Sequence, residues 1–166
     1  MNIKLKELKP RDFSNNYFEW INDNKVMQFT SFENKKTTKK NIINYIKSNC
    51  TDKHNYLFGI YYHNKHVGNI KAGNINYNHN TCEISYFLGD LKNRRKGIMY
   101  KSIIKLIDQL NKSKKLIKFT AYTYVINKPS IKLLTKIGFK IEGRLKRHHY
   151  YNGKRRDILI FSYLKN

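Results

Sequence analysis

The stretch Glu83–Tyr100, EISYFLGDLKNRRKGIMY, decides the reading of the fold. Its first part is the end of a strand, Thr81–Leu88, broken by Gly89-Asp90. Lys92–Met99 is then a basic loop, and a helical pattern follows with Ile103, Ile107 and Leu110 on one side. A loop carrying Arg94, Arg95, Lys96 and Gly97 at a helix N-terminus offers backbone N–H groups and a positive dipole end to a phosphate. Gly97 lets the backbone come close to such an anion. On its own, a basic run before a helix is usually only a solvated loop.

Outward from this stretch, the chain alternates between strand and helix signals. Upstream, Ile3 and Leu5 suggest a short first strand stopped by Pro10, and Phe13, Tyr17, Trp20 and Ile21 share a helical face that ends at Asn22-Asp23-Asn24. Thr37 or Thr38 caps a second helix with Ile42, Ile43 and Ile46 on one side. Strands Tyr56–Tyr62 and His66–Ile75 then lead into Thr81–Leu88 as an antiparallel meander. Downstream, a strand covers Ile117–Tyr122. A helix follows, with Asn127 as N-cap, Pro129 in its first turn and Gly138 just past its end. Two long strands, Phe139–Tyr150 and Arg155–Leu164, reverse at Asn152-Gly153. The expected order is β-α-α-β-β-β-α-β-α-β-β, a mixed α/β (α+β) chain, and its 166 residues suit a single domain over 1–166.

The formal charge of +23 invites a nucleic-acid reading. Phe, Tyr, Met, Ile, Asn and Lys supply 93 residues, however, and Ala only 2. These six types share A/T-rich codons, so the lysine excess is weak evidence for a polyanionic partner. It still predicts attraction to phosphate-rich cofactors. Cys50 and Cys82 form no CxxC or Cys/His cluster, which argues against a disulfide framework and against a metal site. The N-terminus has no apolar signal core and no apolar run approaches a membrane span, so a soluble, cytoplasmic protein is expected.

Five segments stand together in an order that carries a resemblance: YFEWINDN (Tyr17–Asn24), HVGNIK (His66–Lys71), EISYFL (Glu83–Leu88), Arg94–Met99, and NKPSIKLLTKIGFKIEG (Asn127–Gly143). With them the chain resembles the GNAT superfamily of N-acetyltransferases. It is most similar to the RimJ/RimL-like branch, which includes ribosomal-protein acetyltransferases and amino-sugar acetyltransferases of surface-glycan pathways. The resemblance implies a mostly antiparallel sheet that splays between its fourth and fifth strands, with acetyl-coenzyme A inserted there. It implies that Phe87, Leu88 and Gly89 flank the pantetheine, that Arg94, Arg95, Lys96, Gly97 and Ile98 surround the pyrophosphate, and that Asn127 meets the pantetheine near the thioester. Two departures stand out. Met99 occupies a position where the family loop has a small residue, and Leu134 stands where many relatives carry a tyrosine acid.

The reaction that the family performs needs an amine that has lost its proton, a donor for the developing oxyanion and a proton for the departing thiolate. A main-chain N–H near Leu88 suits the oxyanion. With Leu134 unable to act, Ser130 is the next hydroxyl in reach, with Tyr122 and Tyr124 as alternatives. Glu83 is the candidate base, directly or through water, or equally a polar residue on the solvent face of its strand. Tyr17 and Trp20 are expected in the acceptor wall, and His149 is the histidine expected to line it.

An amino-sugar nucleotide is the preferred acceptor, with Arg144, Arg147, Arg155 and Arg156 available to a second diphosphate. A protein N-terminal amine is the rival. Polyamines fit poorly with so basic a chain. A non-catalytic nucleic-acid binder would need Arg147, His149, Tyr150, Tyr151, Arg155 and Arg156 to share one face, and no nucleic-acid motif is present. The sequence does not fix the number of subunits, a homodimer being the oligomer considered.

Overall fold

Strand β4 (Thr81–Leu88) and strand β5 (Lys118–Tyr124) are the two parallel neighbours in an otherwise antiparallel sheet. The computed structural model describes residues 2–30 and 36–165. The remaining strands are β1 (Ile3–Glu7), β2 (Tyr56–Tyr62), β3 (Lys65–Asn76), β6 (Lys140–Tyr151) and β7 (Lys154–Leu164), and the sheet order is β1-β2-β3-β4-β5-β7-β6. Among the described residues five α-helices accompany them: α1 (Asn15–Asn22), α2 (Asn24–Met27), α3 (Lys39–Thr51), α4 (Ile98–Lys114) and α5 (Lys128–Ile137). Among the described residues no helix is long and apolar enough to cross a membrane.

The two faces of the sheet bury different helices. Ile103, Leu106, Ile107 and Leu110 of α4, with Leu134 of α5, pack on Phe58, Ile70, Ile84 and Phe119. On the other face Tyr17, Ile21, Ile42 and Ile46 of α1 and α3 pack with Leu57 and Phe87. Each buried Ile or Leu contributes about 1.5–3 kcal/mol, so these two stripes outweigh any surface ion pair in setting the fold.

Local signals fix the element ends. Thr38 caps α3 by accepting from the Asn41 N–H, and Asn127 caps α5 by accepting from the Ser130 N–H. Asn152 and Gly153 both have positive φ, 48° and 70°, as a tight β6–β7 hairpin turn requires. One expectation changes. Asp23, read as part of a terminating turn, ends α1 and also caps the short α2 through its carboxylate and the Lys25 N–H.

The parallel pairing is brief. The Ile117 and Lys118 N–H groups both donate to the Asn80 carbonyl at its base. The register then runs through Thr81↔Lys118, Cys82↔Phe119 and Glu83↔Thr120, and stops. Beyond it β4 continues along β3 as far as Gly68↔Leu88, while β5 continues along β7 as far as Tyr124↔Ile158. Each strand keeps its outer partner and loses its inner one, so the sheet opens into a V.

Gly68 sits where the open arm of β4 is held only by β3. A Cβ there would strike the Phe87 carbonyl oxygen and come within 2.9 Å of Leu88 Cα, both backbone atoms. Gly68→Ala is expected to destabilise the protein by about 1–3 kcal/mol, read as a fall of several degrees in Tm. An unchanged Tm would mean that β3 and β4 are not clamped this closely.

Candidate active site

The V opens into a cavity of about 800 Å³. Its walls follow from ladder parity. The Gly89 N–H donates to the Val67 carbonyl on β3, so in this antiparallel pair the N–H groups of Phe87 and Ser85 also face β3. Those of Tyr86 and Leu88 therefore face the gap, where β5 no longer pairs with them. An extended ligand with amide groups could complete this edge as a strand would.

At one end of the gap stands the basic loop. Arg95 (φ 63°) and Gly97 (φ 74°) both take left-handed backbone, and Gly97 caps α4, a helix of 17 residues. The Arg94 guanidinium donates to the Lys25 carbonyl, tying the loop to α2. Nothing lies within 4 Å of where a Gly97 Cβ would be, so positive φ rather than crowding requires glycine there.

Near the start of α5 the hydroxyls of Ser130 and Tyr86 meet at 2.8 Å across the gap. Burial pushes the Tyr86 phenol up to about 12, so it remains a proton donor at neutral pH. Leu134, where relatives carry a tyrosine, is wholly buried in the core, and Tyr86 brings a phenol to this region from β4 instead. The buried hydroxyl of Thr123 also lines the cavity and has no hydrogen-bond partner.

The side facing α1–α3 is different. Tyr17, Asn69, Lys71, Tyr122 and His149 line it. Burial lowers the pKa of Lys71. Burial and the neighbouring His148 charge both lower that of His149. His149 stands edge-on to Tyr124 with ring centroids 5.7 Å apart. Lys25, Lys71, Arg94, Arg95 and Lys136 supply cations to the cavity, and no carboxylate is among its described lining residues.

Most of the residues singled out in the sequence come together here: Ser130, Phe87, Leu88, Arg94, Arg95, Gly97, Ile98, Asn127, Tyr17 and His149 all line the cavity. Four do not. Glu83 occupies the closed base of the V, where it accepts from Asn74 Nδ2. Lys96 turns to Asn93. Gly89 and Trp20 pack against one another, with Trp20 also against His66 at 5.1 Å.

Nor do Arg144, Arg147, Arg155 or Arg156 reach the cavity, and Arg144 is paired with Asp157. The basic–aromatic hairpin does not present one face: Tyr150 is 71% exposed and Tyr151 only 6%, stacked on Phe29. Sequence reasoning missed Tyr86, Asn69, Thr123, Lys71 and Lys25. Tyr86 lies two residues from Ile84 and from Leu88 on the same strand face, the one local signal for it.

Comparison with known proteins agrees with this geometry. The family described as Acetyltransferase (GNAT) domain matches residues 5–160. An uncharacterised N-acetyltransferase, p20 of Bacillus licheniformis, is 33% identical over 99 residues, 60% of this chain and 55% of that protein, so the match spans about half of the relative. RimL, a ribosomal-protein alpha-N-acetyltransferase in complex with coenzyme A, superposes with a TM-score of 0.90 at 18% identity, covering 99% of this chain and 95% of that one. The spermidine N-acetyltransferase of Vibrio cholerae, in complex with coenzyme A and spermine, gives 0.89 at 20% identity over 98% and 95% of the two chains.

The unpartnered Thr123 hydroxyl generates a test that needs no ligand. Thr123→Val removes a buried polar atom at nearly constant volume, so the free protein is expected to melt at the same temperature or slightly higher. A clear fall in Tm would show that the hydroxyl has a partner in solution.

Proposed function

Because this chain belongs to the GNAT family of acetyltransferases, we propose that its split sheet binds acetyl-coenzyme A and passes the acetyl group directly to the primary amine of an anionic acceptor, foremost a nucleotide-linked amino sugar. The observation that carries this reading is a cavity, set in the V, lined by five cations and by no carboxylate among its described residues. That lining suits two phosphate-bearing ligands. It opposes a polyamine, although a spermidine acetyltransferase shares the fold. An N-terminal amine of a protein is the second reading, favoured by the superposition on RimL.

The residues present fit the cofactor. The N–H groups of Tyr86 and Leu88 edge the gap, the loop Arg94–Gly97 meets the N-terminus of α4, and the Thr123 hydroxyl lacks a partner. Bound acetyl-coenzyme A supplies an activated acyl group as a thioester. The Leu88 N–H, which faces the gap, would be the donor for negative charge that develops on the thioester carbonyl oxygen. Ser130 would supply a proton to the leaving thiol and be reprotonated by Tyr86, which is protonated at neutral pH and would regain its proton from solvent before the next turnover. Lys71 and Lys25 disfavour the ammonium form of the acceptor, so less proton removal is needed. His149, its pKa lowered by burial and by His148, would take the amine proton, whereas Glu83 at the closed base of the V stands outside the cavity.

Calorimetric titration with acetyl-coenzyme A at two salt concentrations, with ATP as charge control, tests the cofactor. One-to-one binding that exceeds ATP is expected, and equal affinity for both would overturn the assignment. Gly97→Val forces a β-branched residue to positive φ, a strain of about 1–3 kcal/mol, and should weaken acetyl-coenzyme A binding about tenfold.

Ser130→Ala should lower kcat about 10²-fold with KM for acetyl-coenzyme A little changed. Undiminished turnover would remove Ser130 from the chemistry. Because the His149 pKa is lowered, activity that depends on the neutral ring is retained until the pH falls below about 6.5 and is lost as the ring protonates. His149→Gln should erase that acid limb from the kcat/KM profile.

A further inference from the structure

Asn69 is the most telling polar residue on the acceptor side. It is only 2% exposed, lines the cavity, and its Nδ2 has no hydrogen-bond partner. Its orientation follows from His66. Nε2 of that ring lies 3.1 Å from the Gly68 carbonyl oxygen and 2.7 Å from the Asn69 side chain. A carbonyl oxygen can only accept, so Nε2 carries the proton, whether the ring is neutral or charged. The Asn69 atom facing it must then be the acceptor Oδ1, which turns the NH₂ group away from His66.

The surroundings keep this arrangement in place. Tyr17, Trp20 and Tyr61 all pack on the His66 ring, at 6.0, 5.1 and 5.1 Å between centroids. The nearest group is the Tyr17 hydroxyl: an Asn69 N–H approaches its oxygen closely enough to lower the phenol's pKa against the rise that burial and Tyr45 cause, without meeting hydrogen-bond geometry, and the amide's other N–H remains for a ligand. Asn69 is also close to the chemistry in the strand register. It pairs with Phe87, and Gly68 pairs with Leu88, whose N–H faces the gap. Buried donors are rarely left unpaired, and one held at a fixed angle beside a reaction site marks a place for a ligand atom.

We propose that Asn69, oriented by His66, is an acceptor-recognition residue that donates to an oxygen carried beside the reacting amine. This rests on the transferase reading and narrows its substrate class. The acceptor bears a carbonyl or hydroxyl oxygen next to its primary amine, as a 2-amino-alcohol unit of a sugar or an α-amino carbonyl of a peptide does. A plain alkyl polyamine has no such atom. His66 acts only through Asn69 and is a positioning residue.

The test uses matched acceptor pairs with the full-length protein. One pair is a nucleotide-linked amino sugar and its analogue lacking the hydroxyl beside the amine. The other is an alanyl peptide and its analogue with the first carbonyl reduced to methylene. The wild type is expected to favour the oxygen-bearing member of one pair by about tenfold or more in kcat/KM, and the pair identifies the source of the oxygen. Asn69→Leu should bring that ratio to about one. Asn69→Asp, which keeps an acceptor toward His66 but offers no donor, should reverse it, and His66→Phe should lower it in part. A ratio that survives Asn69→Leu overturns the proposal, as does a wild type that shows no preference in either pair or acetylates neither while binding acetyl-coenzyme A. Failure to bind acetyl-coenzyme A, read by calorimetry on the same preparation, overturns the transferase reading instead.

Discussion

Three register pairs hold β4 and β5 together, and then the strands part. In a closed sheet the inner N–H groups of Tyr86 and Leu88 would be consumed by β5, and no cavity would exist between them. The opening is stable because each arm keeps an outer partner: β4 lies along β3 and β5 along β7. It is also covered on both faces, by α4 and α5 on one side and by α1–α3 on the other. The polar edge that the V leaves is the feature on which the remaining site depends. The hydroxyl pair of Tyr86 and Ser130, the loop at α4 and the Asn69 amide are all arranged around it.

Charge gives the opening its selectivity. A net +23 spread over a surface does little beyond general attraction, because salt screens it within about 10 Å. Lys25, Lys71, Arg94, Arg95 and Lys136 matter more because they line one cavity that has no carboxylate among its described lining residues. Elsewhere the same residue types are quenched locally: Arg144 by Asp157, Lys6 by Asp12, Lys165 by Asp108. Of the four arginines of the last hairpin, Arg144 is quenched in this way, and none of the four lines the cavity. The expectation that they serve a bound diphosphate fails on position rather than on charge.

Much of the architecture was legible in the sequence because its signals are local. The Thr38 and Asn127 caps, the Asn152-Gly153 turn and the apolar faces of α3, α4 and α5 each depend on residues within a few positions of one another. The glycine-capped basic loop was readable for the same reason. Asp23 shows the limit of such signals: one carboxylate serves two adjacent helices, and a turn signal does not distinguish that from a simple stop.

The sequence by itself determined the order of the strands and of every α-helix but the short α2, the loop that opens α4 and ten of the residues that line the cavity, since periodicity and motif order are properties of neighbouring residues. Only the tertiary structure decided which polar groups meet. Tyr86 and Ser130 are 44 positions apart, and their contact depends on α5 docking across the V. Glu83 is set at the base of the V by its pairing with Thr120 and Gly73, although nothing in its immediate sequence distinguishes that place from the cavity wall. The Asn69 amide is aimed by a histidine whose proton position is set by a backbone carbonyl. Such pairings come from burial against distant elements, where a hydrogen bond gains strength and a missing one becomes costly, and no local pattern of residues encodes them.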